Sequence, residues 1–204
     1  MGWAKKLAST WGNECKDRAP KMGLPESLIQ DSSRNENLQS AMKVRDKGRA
    51  DQPWIEKVLT ERWGGLQVIA HDEIFDAHLL PALIAGEKDG LATFRVQQMN
   101  QSKVAELITL DALMPQQGVG TALIEALVSK LRGEMVVVLR VTTTNDNLNA
   151  LRFYQRRGFR LAQVRPGAVD KARFIKPSIS RIGEYGIPIR DEIELEYQVC
   201  PAGN

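Results

Sequence analysis

Two short segments, taken together, constrain this chain more than anything else in it. Residues Met114-Pro115-Gln116-Gln117-Gly118-Val119-Gly120-Thr121-Ala122-Leu123 read as a strand end, a tight glycine loop and the start of a helix whose apolar positions Leu123, Ile124, Leu127 and Leu131 recur at helical spacing. A helix that begins this way leaves several backbone N–H groups unpaired beside its positive end, which makes an anion site without any charged side chain. Further on, Asn145-Asp146-Asn147-Leu148-Asn149-Ala150-Leu151-Arg152-Phe153-Tyr154-Gln155-Arg156-Arg157-Gly158-Phe159 reads as a second helix, opened by Asn145 or Asn147 and closed by Gly158, with a tyrosine two turns in. The pair suggests a phosphate-bearing ligand with a phenol at its reactive end.

The rest of the chain reads as one packed domain, residues 42–204, behind a polar, irregular extension over residues 1–41 in which only Trp3, Leu7 and Trp11 keep helical spacing. Residues 42–45 suit a short strand and 52–63 a helix that Gly64-Gly65 stops. Strands follow over 66–70, 82–86, 91–97 and 104–110, with hairpin turns at 87–90 and 98–101. The apolar run 135–141 fits a strand buried on both faces, and 159–164 is another strand. A long loop holding Pro166, Pro177 and Pro188 leads to a last strand over 192–199, where Ile193, Leu195, Tyr197 and Val199 alternate with Glu192, Glu194 and Glu196.

Composition excludes several classes. At 204 residues and 43% hydrophobic content there is material for one good core. The balance of 28 basic against 25 acidic residues, net +3, is too even to argue for nucleic acid, whose binders usually concentrate basic charge on one face. No apolar run approaches the roughly 18 residues of a spanning helix, and the first residues lack a secretory signal, so a cytoplasmic protein without a membrane partner is expected. Gly2 follows Met1, but Lys6 stands where a myristoylation signal has serine or threonine. Cys15 and Cys200 have no metal-ligand spacing; they are expected to be free thiols in a reducing compartment, and no metal is expected.

On its two signature segments, the glycine loop from Gln117 to Ala122 and the helix from Asn147 to Tyr154 with Gly158-Phe159 behind it, the stretch 42–199 resembles the GCN5-related N-acetyltransferase superfamily, in an uncharacterised bacterial branch. The resemblance implies a mixed α/β fold with a central, mostly antiparallel sheet of about six to seven strands flanked by helices, and acetyl-CoA as cofactor. It places Gln116, Gln117, Gly118, Val119, Gly120, Thr121 and Ala122 at the pyrophosphate, and Asn147, Ala150, Phe153 and Tyr154 along the rest of the cofactor. Two registers of the loop compete, one led by Gln117 and one by Pro115, and they differ in which amide meets which phosphate.

Acetyl transfer to an amine needs a held thioester, a neutral amine, a stabilised oxyanion and a proton for the leaving thiolate. Asn147, Ala150, Leu151 and Tyr154 share one helix face. By resemblance Tyr154 is the general acid and Asn147 hydrogen-bonds the pantetheine arm, although Asn is favoured as a helix cap in any case. An alkyl ammonium of pKa about 10 is neutral in roughly one molecule per thousand at pH 7, so a base must take its proton. Glu106, on the strand running into the glycine loop, is the expected base, acting through water, with Asp111 in reserve. The resemblance places oxyanion stabilisation at a strand amide among Leu107, Ile108 and Thr109, where two parallel strands splay. The resemblance sets His71 and His78 in the part that borders the acceptor groove, and both read as surface residues; Arg152, Arg156, Arg157 and Arg160 read as a solvated helix face, with the cofactor's 3′-phosphate as the other reading.

No cysteine lies near either motif, so direct attack in a ternary complex is expected. Asp72, Glu73, Asp76 and Glu184 favour a cationic small-molecule amine as acceptor; a protein amino terminus or lysine is the alternative. A homodimer through the late strands is compatible with the pattern. A non-catalytic acyl-CoA sensor would not need both Tyr154 and Glu106, and a dinucleotide fold lacks its third glycine and its βαβ setting.

Overall fold

The computed structural model describes residues 42–114 and 117–200; the 1–41 extension lies outside them. Strand β1, Val44–Asp46, leads through a 3₁₀ turn at Arg49–Asp51 into α1, Gln52–Trp63. Pro53 stands in the first turn of α1, where its missing N–H costs nothing, and Gly64 ends the helix at φ 67°. Strands β2, Gln67–Ala70, and β3, Glu73–Asp76, form a small hairpin of their own. Strands β4, Ala82–Ala85, β5, Gly90–Met99, and β6, Ser102–Ala112, make the expected meander. Then come α2, Val119–Gly133, β7, Val136–Thr144, α3, Leu148–Gln155, β8, Arg160–Arg165, α4, Ala168–Ile175, and β9, Glu192–Gln198.

The main sheet has seven strands in the order β1-β4-β5-β6-β7-β9-β8, and only the central pair β6–β7, joined through α2, is parallel. One face packs on α2 and α3: Leu107, Leu123, Leu127, Leu131, Leu139 and Leu195 are fully or almost fully buried there, each worth about 1.5–3 kcal/mol of burial. The other face is divided. Its β4–β6 half packs on Ile55, Val58 and Leu59 of α1 and on Val68 and Phe75 of the hairpin. Its β7–β9 half carries Arg140, Thr142, Glu192 and Glu194 in place of an apolar layer, because these alternate with the core-facing Leu139, Val141, Ile193 and Leu195.

The structure corrects the sequence reading at three points. The β3 strand and the α4 helix stand where loop was expected; α4 forms because Ala168, Val169 and Ala172 bury a narrow face and Arg173 donates to the carbonyls of Ile179, Ser180 and Ile189. Cys200 is buried and disulfide-bonded, so it is not the free thiol expected; pairing needs Cα atoms within about 7 Å, which linear spacing cannot reveal. Cys15 lies outside the described residues.

Candidate active site

The sheet opens where the sequence places its chemistry. Parallel pairing of β6 with β7 runs from Lys103 opposite Val136 to Leu107 opposite Val141 and then stops, while β6 continues to Ala112 and β7 to Thr144. The two strands therefore fork at the middle of the sheet. A bulge starts the fork: Phe94 pairs with Leu107 and Thr93 with Thr109, leaving Ile108 with no opposite residue, and such an insertion turns its strand away from the ladder. Leu107, Ile108 and Thr109 thus stand at the fork, Leu107 on the α2 side and Ile108 on the α1 side.

Above the fork, Gly118 caps α2 in the left-handed region at φ 77°, and the first helical bond runs from the Ala122 N–H to the Gly118 carbonyl, 2.9 Å. The amides of Val119, Gly120 and Thr121 precede that bond and have no acceptor within the helix. Val119 is buried, its side chain packed in the core. At Gly120 a Cβ would come within 3.1 Å of the Phe153 ring, which is why α2 and α3 can meet so closely. Gln117 and Gly118 are exposed; Gln116 lies outside the described residues. Between these elements is a cavity of about 270 Å³ lined by Leu110, Ala112, Gly120, Asn149, Ala150, Phe153 and Tyr154.

Tyr154 is 6% exposed, its ring edge-on to Phe153 at 5.2 Å and tilted against Phe159 at 5.3 Å. Burial first, then the charge of Asp111, push its phenol well above the ordinary tyrosine range, with Arg157 opposing. The phenol therefore keeps its proton at neutral pH, as a proton donor must. Asn147 is the α3 cap: its Oδ1 accepts from the Ala150 N–H at 2.9 Å. Asn149, which sequence reasoning missed, lines the cavity and donates to Glu184 and to the Tyr185 hydroxyl. Arg157 is not a solvated residue: it stacks on Phe153 at 3.6 Å and donates to the Phe153 carbonyl and the Thr121 hydroxyl. Burial lowers its pKa.

On the opposite face of the fork, Glu106 is 4% exposed. Its Oε2 accepts from Arg95 Nε and NH2 at 3.0 and 2.9 Å, and its Oε1 pairs with His71 Nε2. Burial works to raise its pKa, but the contacts with His71 and Arg95 outweigh burial and hold the carboxyl below the usual glutamate range. His71 Nε2 also lies 3.1 Å from the Thr142 hydroxyl of β7, and its backbone N–H donates to Glu192 at 3.2 Å. Glu194 is held by Arg165 at 2.6 Å.

Glu192 and Glu194 are each 5% exposed, so the polar side of β9 is interior and not solvent-facing. Their signal in the sequence was the matching charge of Arg140 and Arg165 on neighbouring strands. The proposed acidic lure for the acceptor is mostly engaged elsewhere: Glu73 pairs with Arg95 at 2.7 Å, Asp76 accepts from Gln67, and Glu184 accepts from Asn149. Asp111 accepts from the Trp63 indole at 2.9 Å and burial raises its pKa. His78 stands apart, its carbonyl bonded to Lys47 and Gln52.

Comparison with known proteins bears on the family and the fold. The sequence model of the acetyltransferase (GNAT) family matches residues 52–159. An uncharacterised protein of Bacillus subtilis, YdhI, is 37% identical over 133 residues, 65% of this chain and 83% of its own length. In fold, the chain is similar to an IAA acetyltransferase from Bacillus cereus (TM-score 0.55, 19% identity, 78% of this chain and 99% of that one) and to Arabidopsis thaliana NAA60 in complex with acetyl-CoA (TM-score 0.56, 15% identity, 77% and 98%).

Proposed function

The chain belongs to the acetyltransferase (GNAT) family, whose cosubstrate is acetyl-CoA, and on that footing we propose that it transfers an acetyl group to a primary amine by direct attack in a ternary complex, the acceptor being a small molecule. The observation that carries this reading is the fork: a protonated phenol, Tyr154, borders the cavity on the α2–α3 side, and an ionised carboxylate, Glu106, lies on the other side. Acetyl-CoA supplies an activated thioester; the chain's own groups do the rest.

The residues fit that cosubstrate. The free amides of Val119, Gly120 and Thr121 suit a pyrophosphate at a helix N-terminus, and the cavity lined by Leu110, Ala112, Ala150 and Phe153 suits a slender, mostly apolar arm. The Tyr154 O–H donates its proton as the thiolate leaves. Glu106 takes a proton from the acceptor's ammonium, directly or through one water, so that the neutral amine attacks the thioester carbonyl, and backbone N–H groups at Ile108 and Thr109, where the ladder fails, serve the oxyanion. Cys200 is bonded and cannot carry the acetyl group. A small acceptor is favoured because Glu106, Glu192 and Glu194 are buried, so that only a narrow amine head reaches them.

Calorimetric titration with coenzyme A and acetyl-CoA, followed by thiol release in the presence of simple amines, tests the proposal. Micromolar binding with amine-dependent thiol release is expected; absence of binding to either compound refutes it. Thiol release with peptides alone would transfer the reaction to a protein acceptor.

A further inference from the structure

The β2–β3 hairpin turns on His71 and Asp72, both in the left-handed region at φ 54° and 62°. A two-residue turn of this kind asks for positive φ at both positions, which Asn-Gly meets at little cost. A residue with a Cβ is strained there, and such strain persists where the surroundings over-determine it.

The surroundings of His71 come from three strands. The His71 N–H donates to Glu192 of β9, and Nε2 meets both Glu106 of β6 and Thr142 of β7. Glu106 pairs in register with Arg140, one step before pairing ends, and Thr142 is the first β7 residue beyond the last pair. Nε2 therefore spans the mouth of the fork. Arg95 of β5 occupies only Oε2 of Glu106, and without a second partner Oε1 could rotate and hydrate. The charged groups facing the imbedded ring are Glu106, with Arg95 behind it, and Glu192, whose Oε2 is 3.8 Å from Nδ1. With the hydrogen of the ring on Nε2, where Glu106 accepts it, Nδ1 is buried and makes no hydrogen bond.

We propose that His71 is a positioning residue of the transfer site, bolting Glu106 and Thr142 together across the mouth of the fork and aiming the carboxylate at the acceptor nitrogen. The assignment rests on the reading of Glu106 as proton acceptor given above. The hairpin is then a working part of the site: docking it completes the fork, and its strained tip is the cost of bringing an imidazole to that point.

The test compares His71→Ala and His71→Gln in the full chain. In His71→Ala, kcat falls roughly tenfold to a hundredfold, the cost of a misplaced reacting group, and coenzyme A affinity stays within a few-fold. The acid limb of the kcat/KM profile moves to higher pH, because a contact that lowered the Glu106 pKa is gone. Gln can still donate to Oε1, so His71→Gln recovers most of kcat and returns the limb toward wild type. Carbon-13 titration of the Glu106 carboxyl, assigned with Glu106→Gln, reads the same contact without turnover and moves upward in His71→Ala. Unchanged kcat and limb in His71→Ala, or an unmoved carboxyl titration, overturns the proposal. A His71→Gln variant as slow as His71→Ala also overturns it, since the ring would then carry the proton itself. If wild type releases no thiol with any amine, the transferase reading fails while the carboxyl titration still decides whether His71 holds Glu106.

Discussion

Gly120→Ala sets two opposing effects against each other at the place where α2 meets α3. An added Cβ would lie 3.1 Å from Phe153 Cζ and 3.3 Å from Cε2, so the ring must retreat by a few tenths of an ångström. Phe153 is only half-buried and can do so, although Arg157 stacks on it at 3.6 Å and would have to follow. Inserting a methyl into packed surroundings costs about 1–3 kcal/mol, with the low end fitting a ring that can move. Replacing glycine by alanine inside a helix returns about 0.5–1 kcal/mol. Stability should therefore change by less than about 1 kcal/mol in a urea titration. Ligand binding should not be spared, because Gly120 and Phe153 both line the cleft and the displaced ring moves within it. Coenzyme A affinity measured by calorimetry should fall by about tenfold, equivalent to roughly 1.4 kcal/mol. A variant that binds coenzyme A as wild type does would show that this cleft is not the cofactor's path; loss of the fold would show that the helix contact is stiffer than a half-buried ring implies.

Tyr154→Phe keeps the ring among Phe153 and Phe159 and removes only the proton, so turnover should fall about 10²-fold with coenzyme A affinity within a few-fold; unchanged turnover would remove the phenol from the mechanism. Asp51 accepts from Arg45 at 2.6 and 2.8 Å and from the Gly48 N–H at 2.7 Å, and those bonds hold its carboxyl far below the usual range. A depressed acid pKa contributes stability above the unfolded value of about 3.9 that is lost as pH falls toward the folded value. Denaturant midpoints followed from pH 6 down to pH 2 should thus decline less steeply in Asp51→Asn than in wild type, and parallel declines would exclude this pair from acid sensitivity.

The two motifs were legible because each is local. Gly118, Gly120 and the Leu123–Leu131 stripe announce a helix start, and Asn147 with Gly158 brackets α3, without help from distant residues. The α1 helix was legible over its full length for the same reason, with Gly64 as its stop. What failed to show depends on pairing at long range. β3 is a four-residue strand reached through a turn with no glycine, and α4 is eight residues between prolines whose buried face is only Ala168, Val169 and Ala172. The alternation of β9 had the right parity, yet nothing in it says that the hairpin tip and Arg165 cover its acidic side. His71 carries no local mark at all; its role comes from three strands that the fold brings to one atom.

A fork in a sheet must stay open for its ligand and still hold its geometry, and no ladder can run across it. In this chain the end of β7 that has left β6 is held on its other side, where it pairs with β9 as far as Thr144 opposite Glu192. The Asn145 N–H donates to the Asp191 carbonyl, its Oδ1 accepts from the N–H groups of Arg190 and Asp191, and its Nδ2 donates to the Pro188 carbonyl at 2.9 Å. Asp146, 5% exposed, accepts from Thr144 and from the Glu184 N–H, and Gly183 sits where a Cβ would fall 1.9 Å from the Asp146 carboxylate. The proline-bearing loop before β9 thus extends the support that the β9 ladder gives β7 where its β6 partner is missing. Gly120 against Phe153 fixes the fork from the α2–α3 side, and His71 fixes it from the other. Three contacts from separate elements then set one opening, which is why the fork can keep its width where β6 and β7 no longer pair.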